Sequence, residues 1–327
     1  MPAARDYSQE LDQVRRCGLP AHRSEGFGHR TRTARDTTMT DPTATGTPFA
    51  ITGAAGERIR GNVHLPADDQ GGRLPLLLVL HGFKGYKDYG FFPHLTRTLA
   101  AAGLVAVRFN FSHSGMDEDT STFGRPDLFE KDTWSSQMED VQAVRAAAAS
   151  GELPNADRID TGRIGLIGHS RGGATALLAA GHHPRIRAVV TMAAPAATDY
   201  LTETQKNELR EKGYLVSPSA RTGQNLRIGR QWLDDLEAHR DKLNLTAAVA
   251  RISCPLLIVH GMADESVPCT CAKTIAAAYS GTAKQLIVEA ANHTFNCANP
   301  MEHPSPALNQ VLAAAASFFA DHLCRRS

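Results

Sequence analysis

Hydrophobic positions along the chain fall into two alternating patterns. From Phe49, "FAITG" and "RIRGNVHLP" alternate apolar with polar residues around glycine-containing turns, which predicts a hairpin. "PLLLVLHGF" is then a continuous apolar run of buried-strand type. Phe92, Leu95, Leu99 and Ala102 follow at helical spacing. The alternation repeats. "LVAVRFNF", "RIGLIG", "RAVVTM", "PLLIVHG" and "KQLIVEA" read as strands, with helices around Met138–Val144, Ala174–Ala180, Cys271–Tyr279 and Pro306–His322 between or after them. Strands alternating with helices predict an α/β fold: a doubly wound, mostly parallel sheet with helices on both faces.

Two stretches stand outside that pattern. Residues 1–45 are rich in Arg, Thr, Asp, Gly and Pro without an apolar period, and read as a disordered extension. Met39 lies where a natural start would serve. Residues 198–250 lie between two strands, are far too long for an ordinary connection, and read as polar and helical, for example "QNLRIGRQWLDDLEAHRDKL". They are expected to form a small helical cap inserted after the sixth core strand. The core then comprises 46–197 and 251–327.

Composition narrows the function. A chain of 327 residues, 42% apolar, can bury a sizeable core. Its net charge of +1 provides no electrostatic footprint for nucleic acid or an acidic membrane. It has no bilayer-length apolar run and no apolar signal region at the N-terminus, so a cytoplasmic protein is expected. Six scattered cysteines fit reduced thiols, and their spacing does not suggest a metal site. Cys269, Cys271 and Cys297 leave open a disulfide between two loops described below, with packing thiols the expected state.

The ends of the strands carry the chemistry. In open α/β sheets, sites form at the C-terminal ends of strands. One such end is "GLIGHSRGG", which places Ser170 between Gly168 and Gly172 at a strand-to-helix turn. This is a nucleophile elbow: the serine takes strained backbone angles, and side chains at −2 and +2 would collide. A serine hydroxyl needs a base, and the base needs an acid to fix its tautomer. His293, after "LIVEA", is the candidate base. Asp264, after "LLIVHG", is the candidate acid, with Glu265 its rival. The oxyanion of an acyl-transfer intermediate needs two backbone donors. The N–H groups of Arg171 and of Phe83, in the loop after "LLLVLHG", are the candidates. Asn110 and His113 could face the cleft, although satisfying backbone groups is the expected role of such residues. Lys84, Tyr86 and Lys87 read as solvated, and His169 as a packing residue of the elbow. In the cap, Trp232 and Leu236 lie one helical turn apart, available either to line an acyl pocket or to pack on the core.

These ordered motifs resemble the α/β-hydrolase superfamily over about Phe49 to Leu323. Within it, "LHGFKGYKDYGFFPHL", "FNFSHSG" and "GHSRGG" resemble bacterial esterases of the dienelactone hydrolase-like and feruloyl (cinnamoyl) esterase-like group. The resemblance implies Ser170 as nucleophile, Asp264 as acid, His293 as base, Phe83 and Arg171 as oxyanion donors, and a small cap after the sixth strand. Dienelactone hydrolases use a cysteine nucleophile, whereas position 170 is serine, which favours ordinary carboxylic esters. The expected function is a serine carboxylesterase without cofactor or metal, acting on small-molecule esters, with no nucleic-acid or membrane partner. A serine peptidase or amidase of the same fold is the alternative. A non-catalytic binding protein is a further reading, for which a missing triad member would be expected.

Overall fold

A computed structural model describes residues 46–67 and 71–325. The reading of residues 1–45 as disordered, and of Met39 as a start, lies outside the described residues.

Among the described residues eight strands form one sheet: β1 (Thr47–Thr52), β2 (Arg58–His64), β3 (Leu74–Leu80), β4 (Val105–Asn110), β5 (Ile159–His169), β6 (Ile186–Met192), β9 (Leu256–Gly261) and β10 (Lys284–Val288). Their spatial order is β1-β2-β4-β3-β5-β6-β9-β10. The hairpin expected at the start is present, with Thr47 opposite Val63 and Thr52 opposite Arg58. β2 joins β4 antiparallel, and every later pairing is parallel. The continuous apolar runs follow from burial on both faces. In β3, Leu76, Leu78 and Leu80 enter one hydrophobic cluster, while Leu77 and Val79 enter the other. Leu256 and Ile258 of β9 divide from Leu257 and Val259 in the same way. Each such leucine contributes about 1.5–3 kcal/mol of transfer free energy.

Helices cover both faces. α1 (Phe92–Ala101) turns Phe92, Leu95 and Leu99 into the second cluster, against α9 (Pro306–Phe319) with Leu308, Val311 and Phe319. The short α2 (Pro126–Glu130) precedes α3 (Trp134–Ser150), and α3 buries Trp134, Val141 and Val144 in the first cluster beside α4 (Arg171–His182). Thr133 caps α3 by accepting the Ser136 N–H at 3.1 Å, and Gly151 ends it at φ 86°. α8 (Thr270–Ala278) lies between β9 and β10.

Between β6 and β9 the chain leaves the sheet to form α5 (Glu203–Lys212), β7 (Tyr214–Pro218), β8 (Asn225–Gly229), α6 (Gln231–Ala238) and α7 (Leu245–Ala250). This corrects the expectation of a purely helical insertion. β7 and β8 pair antiparallel, Leu215 opposite Ile228 and Ser217 opposite Leu226. The stretch Asn225–Gly229 is therefore strand, and the helix starts only at Gln231. The physical reason is local: Leu226 and Ile228 alternate with polar residues, and Gly223 supplies the positive φ of 70° for the preceding turn. The insertion is anchored at the start of α3. The Trp134 indole N–H donates to the Thr198 carbonyl at 3.1 Å, and the Ser135 N–H to Asp235 Oδ2 at 3.1 Å.

Candidate functional site

Ser170 sits at the turn from β5 into α4 with φ 54° and ψ −126°. An L-residue pays about 1–3 kcal/mol for such a conformation, so the surroundings must enforce it. They do so by close packing of backbone. A Cβ on Gly168 would lie 2.1 Å from the Gly172 carbonyl oxygen. One on Gly172 would lie 2.4 Å from that of Leu80 and 2.5 Å from that of His81. Only glycine permits this crossing. The Ser170 N–H donates to the Met192 carbonyl at 2.8 Å, tying the elbow to β6. Gly82 closes in from the other side: a Cβ there would be 3.0 Å from Ser170 Cβ.

Asp264 and His293 come together from the loops after β9 and β10. Asp264 Oδ2 accepts from His293 Nδ1 at 2.8 Å. Its other oxygen, Oδ1, accepts the N–H groups of Ser266 (2.9 Å) and Val267 (2.8 Å). Burial alone would raise the pKa of this enclosed carboxyl. The bonds from His260, His293 and Val267 overcome that and hold it well below the usual carboxylate range. His260, fully buried in β9, donates from Nε2 to the Val267 carbonyl at 2.9 Å and lies 3.4 Å from Asp264 Oδ2, so it braces the acid loop. Glu265, the rival acid, has no hydrogen bond to His293 among the described residues.

Two amides are the candidate oxyanion donors. The Arg171 N–H is the first of α4, in the turn that no intrahelical carbonyl can serve. The Phe83 N–H lies in the loop after β3, and neither amide has a hydrogen-bond partner among the described residues. His81 organises that loop. Its Nδ1 donates to the Gly82 carbonyl at 2.9 Å, while Nε2 accepts the Phe111 N–H at 3.2 Å. Burial pushes this imidazole down to about 4. The Arg171 side chain turns away into the protein, where Nη1 pairs with Asp132 Oδ2 at 3.0 Å and the guanidinium stacks over Trp134 at 4.6 Å.

His169, read from the sequence as a packing residue, does more. Its Nε2 donates to the His293 carbonyl at 2.8 Å, and the two ring centroids are 4.7 Å apart. His81, His169, His260 and Asp132 were not singled out as functional by sequence reasoning. The histidines were legible only as neighbours of glycines in "HGF", "GHS" and "VHG", and Asp132 carried no signal.

The remaining candidates make the following contacts. Asn110 Oδ1 accepts the Lys87 N–H at 2.7 Å, and the residue lines a cavity of about 490 Å³ beside Arg60 and Asn62. His113 is buried against Ser112 Oγ at 2.8 Å. Trp232 is 2% exposed within the first hydrophobic cluster and contacts Tyr200. Leu236 belongs to the same cluster and borders a cavity of about 510 Å³ lined also by Leu233, Lys206 and Arg240, not by Ser170 or His293. Tyr86 is buried, not the solvated residue that the sequence suggests, and the half-buried Lys84 donates from Nζ to the Pro218 carbonyl at 2.7 Å. Cys269, Cys271 and Cys297 are free, and no disulfide joins the two loops. Among the described residues no cluster of His, Cys, Asp and Glu could hold a metal ion, and no helix is long and apolar enough to cross a membrane.

Comparison with known proteins agrees with this architecture. A Bacillus subtilis (strain 168) protein named "Putative esterase YitV" is 27% identical over 196 residues, 60% of this chain and 70% of that protein. Est1E from Butyrivibrio proteoclasticus, also solved with ferulic acid bound, superposes with a TM-score of 0.61 at 17% identity, over 86% of this chain and 100% of its own. A dienelactone hydrolase from Anabaena variabilis superposes with a TM-score of 0.54 at 17% identity, over 85% and 99%. The profile of the alpha/beta hydrolase family matches residues 77–311, well over half of the chain. The elbow, the strand order and this match have one reading: the chain belongs to the alpha/beta hydrolase family.

Proposed function

We propose that the protein is a serine carboxylesterase acting on small or aryl carboxylic esters through an acyl-enzyme. The observation that carries the reading is the strained Ser170 at the elbow, with the His293–Asp264 pair at 2.8 Å supplied by the neighbouring loops. Ser170 Oγ attacks the ester carbonyl carbon while His293 Nε2 takes its proton. Asp264 holds Nδ1–H and so keeps Nε2 free to accept. The N–H groups of Phe83 and Arg171 receive the charge that develops on the carbonyl oxygen. His293 then gives the proton to the departing alcohol. In the second half it takes a proton from water, which attacks the acyl group, and Ser170 is regenerated as the acid leaves.

Esterase-named relatives support this class, and Est1E, with ferulic acid bound, makes aryl esters the first substrates to try. The same groups would serve a peptidase or amidase. A cytoplasmic location is part of the proposal and rests on the free thiols. The test is a panel of purified protein against aryl esters of graded acyl length, feruloyl esters and matched amides. Ester turnover with amides essentially untouched is expected. Amide turnover comparable to that of the esters would favour the peptidase reading, and no turnover with either would overturn both.

A further inference from the structure

His293 is held at two points, and only one of them is its side chain. Asp264 grips Nδ1, but the imidazole still swings with its own peptide unless the backbone is fixed. The loop that carries it is strained: Ala290, Phe295 and Asn296 have φ of 53°, 53° and 60°. Asn292 ties the loop to itself by accepting the N–H groups of Thr294 and Asn296 at 3.1 and 2.7 Å. Those bonds fix the loop's shape, not its position against the elbow. Among the described residues one hydrogen bond spans that gap, from His169 Nε2 to the His293 carbonyl.

We infer that His169 is a positioning residue for the base: its ring, through the bond to the His293 backbone, sets the distance between base loop and nucleophile elbow. The inference rests on the serine esterase reading. His169 immediately precedes Ser170 in the chain, so whatever it holds is held in register with the nucleophile. A carbonyl only accepts, so the His169 proton is on Nε2. The ring packs edge-on to Phe91 (5.3 Å) and Phe92 (6.2 Å), which fix its plane. Burial, with the neighbouring His293 adding to it, pushes its pKa down to about 3, and the ring stays neutral at ordinary pH. At 7% exposure His169 does not present itself to substrate, so it acts through His293. Displacing a reacting group by about 1 Å costs about 10²-fold in rate, which sets the scale of the effect.

The test compares His169→Met, which removes the donor at similar length, with His169→Gln, which restores an N–H at similar reach. His169→Phe, keeping a ring without a donor, is the third variant. Each is assayed for kcat and KM on a p-nitrophenyl ester, for the rate of fluorophosphonate labelling at Ser170, and for its melting curve. In folded Met and Phe variants kcat and labelling should fall in parallel by about 10–100-fold, with KM within about twofold, and Gln should recover most of the loss. Wild-type kcat in the Met variant, or a Gln variant as slow as the Met variant, would overturn the inference. Wild-type protein that is not labelled at Ser170 would instead overturn the nucleophile assignment, and this inference with it.

Discussion

Arg171 and Asp132 form an ion pair buried on both sides, Nη1 to Oδ2 at 3.0 Å, with 4% and 7% of the two side chains exposed. Asp132 also accepts from Gln137 Nε2 at 3.0 Å, and Gln137 in turn accepts the Thr175 hydroxyl at 2.8 Å. The first turn of α4, whose amide is a proposed oxyanion donor, is thus clamped to the loop before α3. Removing the carboxylate leaves a buried guanidinium without its counter-charge. Asp132→Ala should cost about 3–5 kcal/mol of stability. Urea unfolding measures this, and a loss below about 1 kcal/mol would show that the pair is not a structural clamp.

Ser170→Ala should leave the fold intact and lower kcat by roughly 10⁶-fold, as loss of a triad nucleophile does. Fluorophosphonate should label wild-type protein at Ser170 and leave the variant unlabelled. Mass spectrometry of the labelled peptide decides it; a label on another serine would displace Ser170 from the mechanism.

Acid should destabilise the protein through its neutral buried histidines. His81 and His169 have folded values of about 4 and about 3, lowered chiefly by burial, against about 6.5 in the unfolded chain. Below about pH 6.5 the unfolded state therefore binds protons that the folded state refuses. The stability present above that pH falls on acidification by about 1.4 kcal/mol per pH unit for each imidazole, until pH nears the folded values. His81 cannot take a proton on Nε2 without losing the Phe111 N–H that this nitrogen accepts. Denaturant unfolding at pH 7, 6 and 5 should show the slope, and His81→Gln should make it shallower by about one such increment. The same slope in both proteins would mean that His81 titrates normally in the fold.

Trp232→Ala should cost about 3–5 kcal/mol, because it empties a packed position in the main hydrophobic cluster. The ratio of kcat/KM between short and bulky esters should stay unchanged, since the side chain is enclosed in the fold. Assays on an acetate and a bulky aryl ester in folded variant protein test this. A selective loss on the bulky ester would return Trp232 to the substrate pocket.

The alternation of strand and helix was legible because β3 and β9 are buried on both faces, which makes "LLLVL" and "LLIV" continuous runs. Ser170 was legible because backbone-to-backbone packing demands glycine at both flanking positions, and that demand appears in the letters. The hairpin of β7 and β8 was obscured: five alternating residues lie within a charged stretch whose overall character is helical. The partners of the site were less visible still. Asp132 reaches Arg171, and His169 reaches His293, across loops that only the folded sheet brings together. No spacing rule in one dimension encodes either contact.

Lys84 reaches from the loop after β3 to the Pro218 carbonyl in the inserted hairpin, and Arg221 of that hairpin lies 4.9 Å from the rings of both Tyr86 and Phe123. The insertion is therefore no free-standing module. A chimaera that exchanged residues 198–250 for those of a relative would sever these clasps and leave the Phe83 loop without its outer support. A transferable part must include, with the insertion, the 83–89 and 116–135 segments it grips, and recombination between relatives should succeed only where its crossover points keep those pieces from one parent.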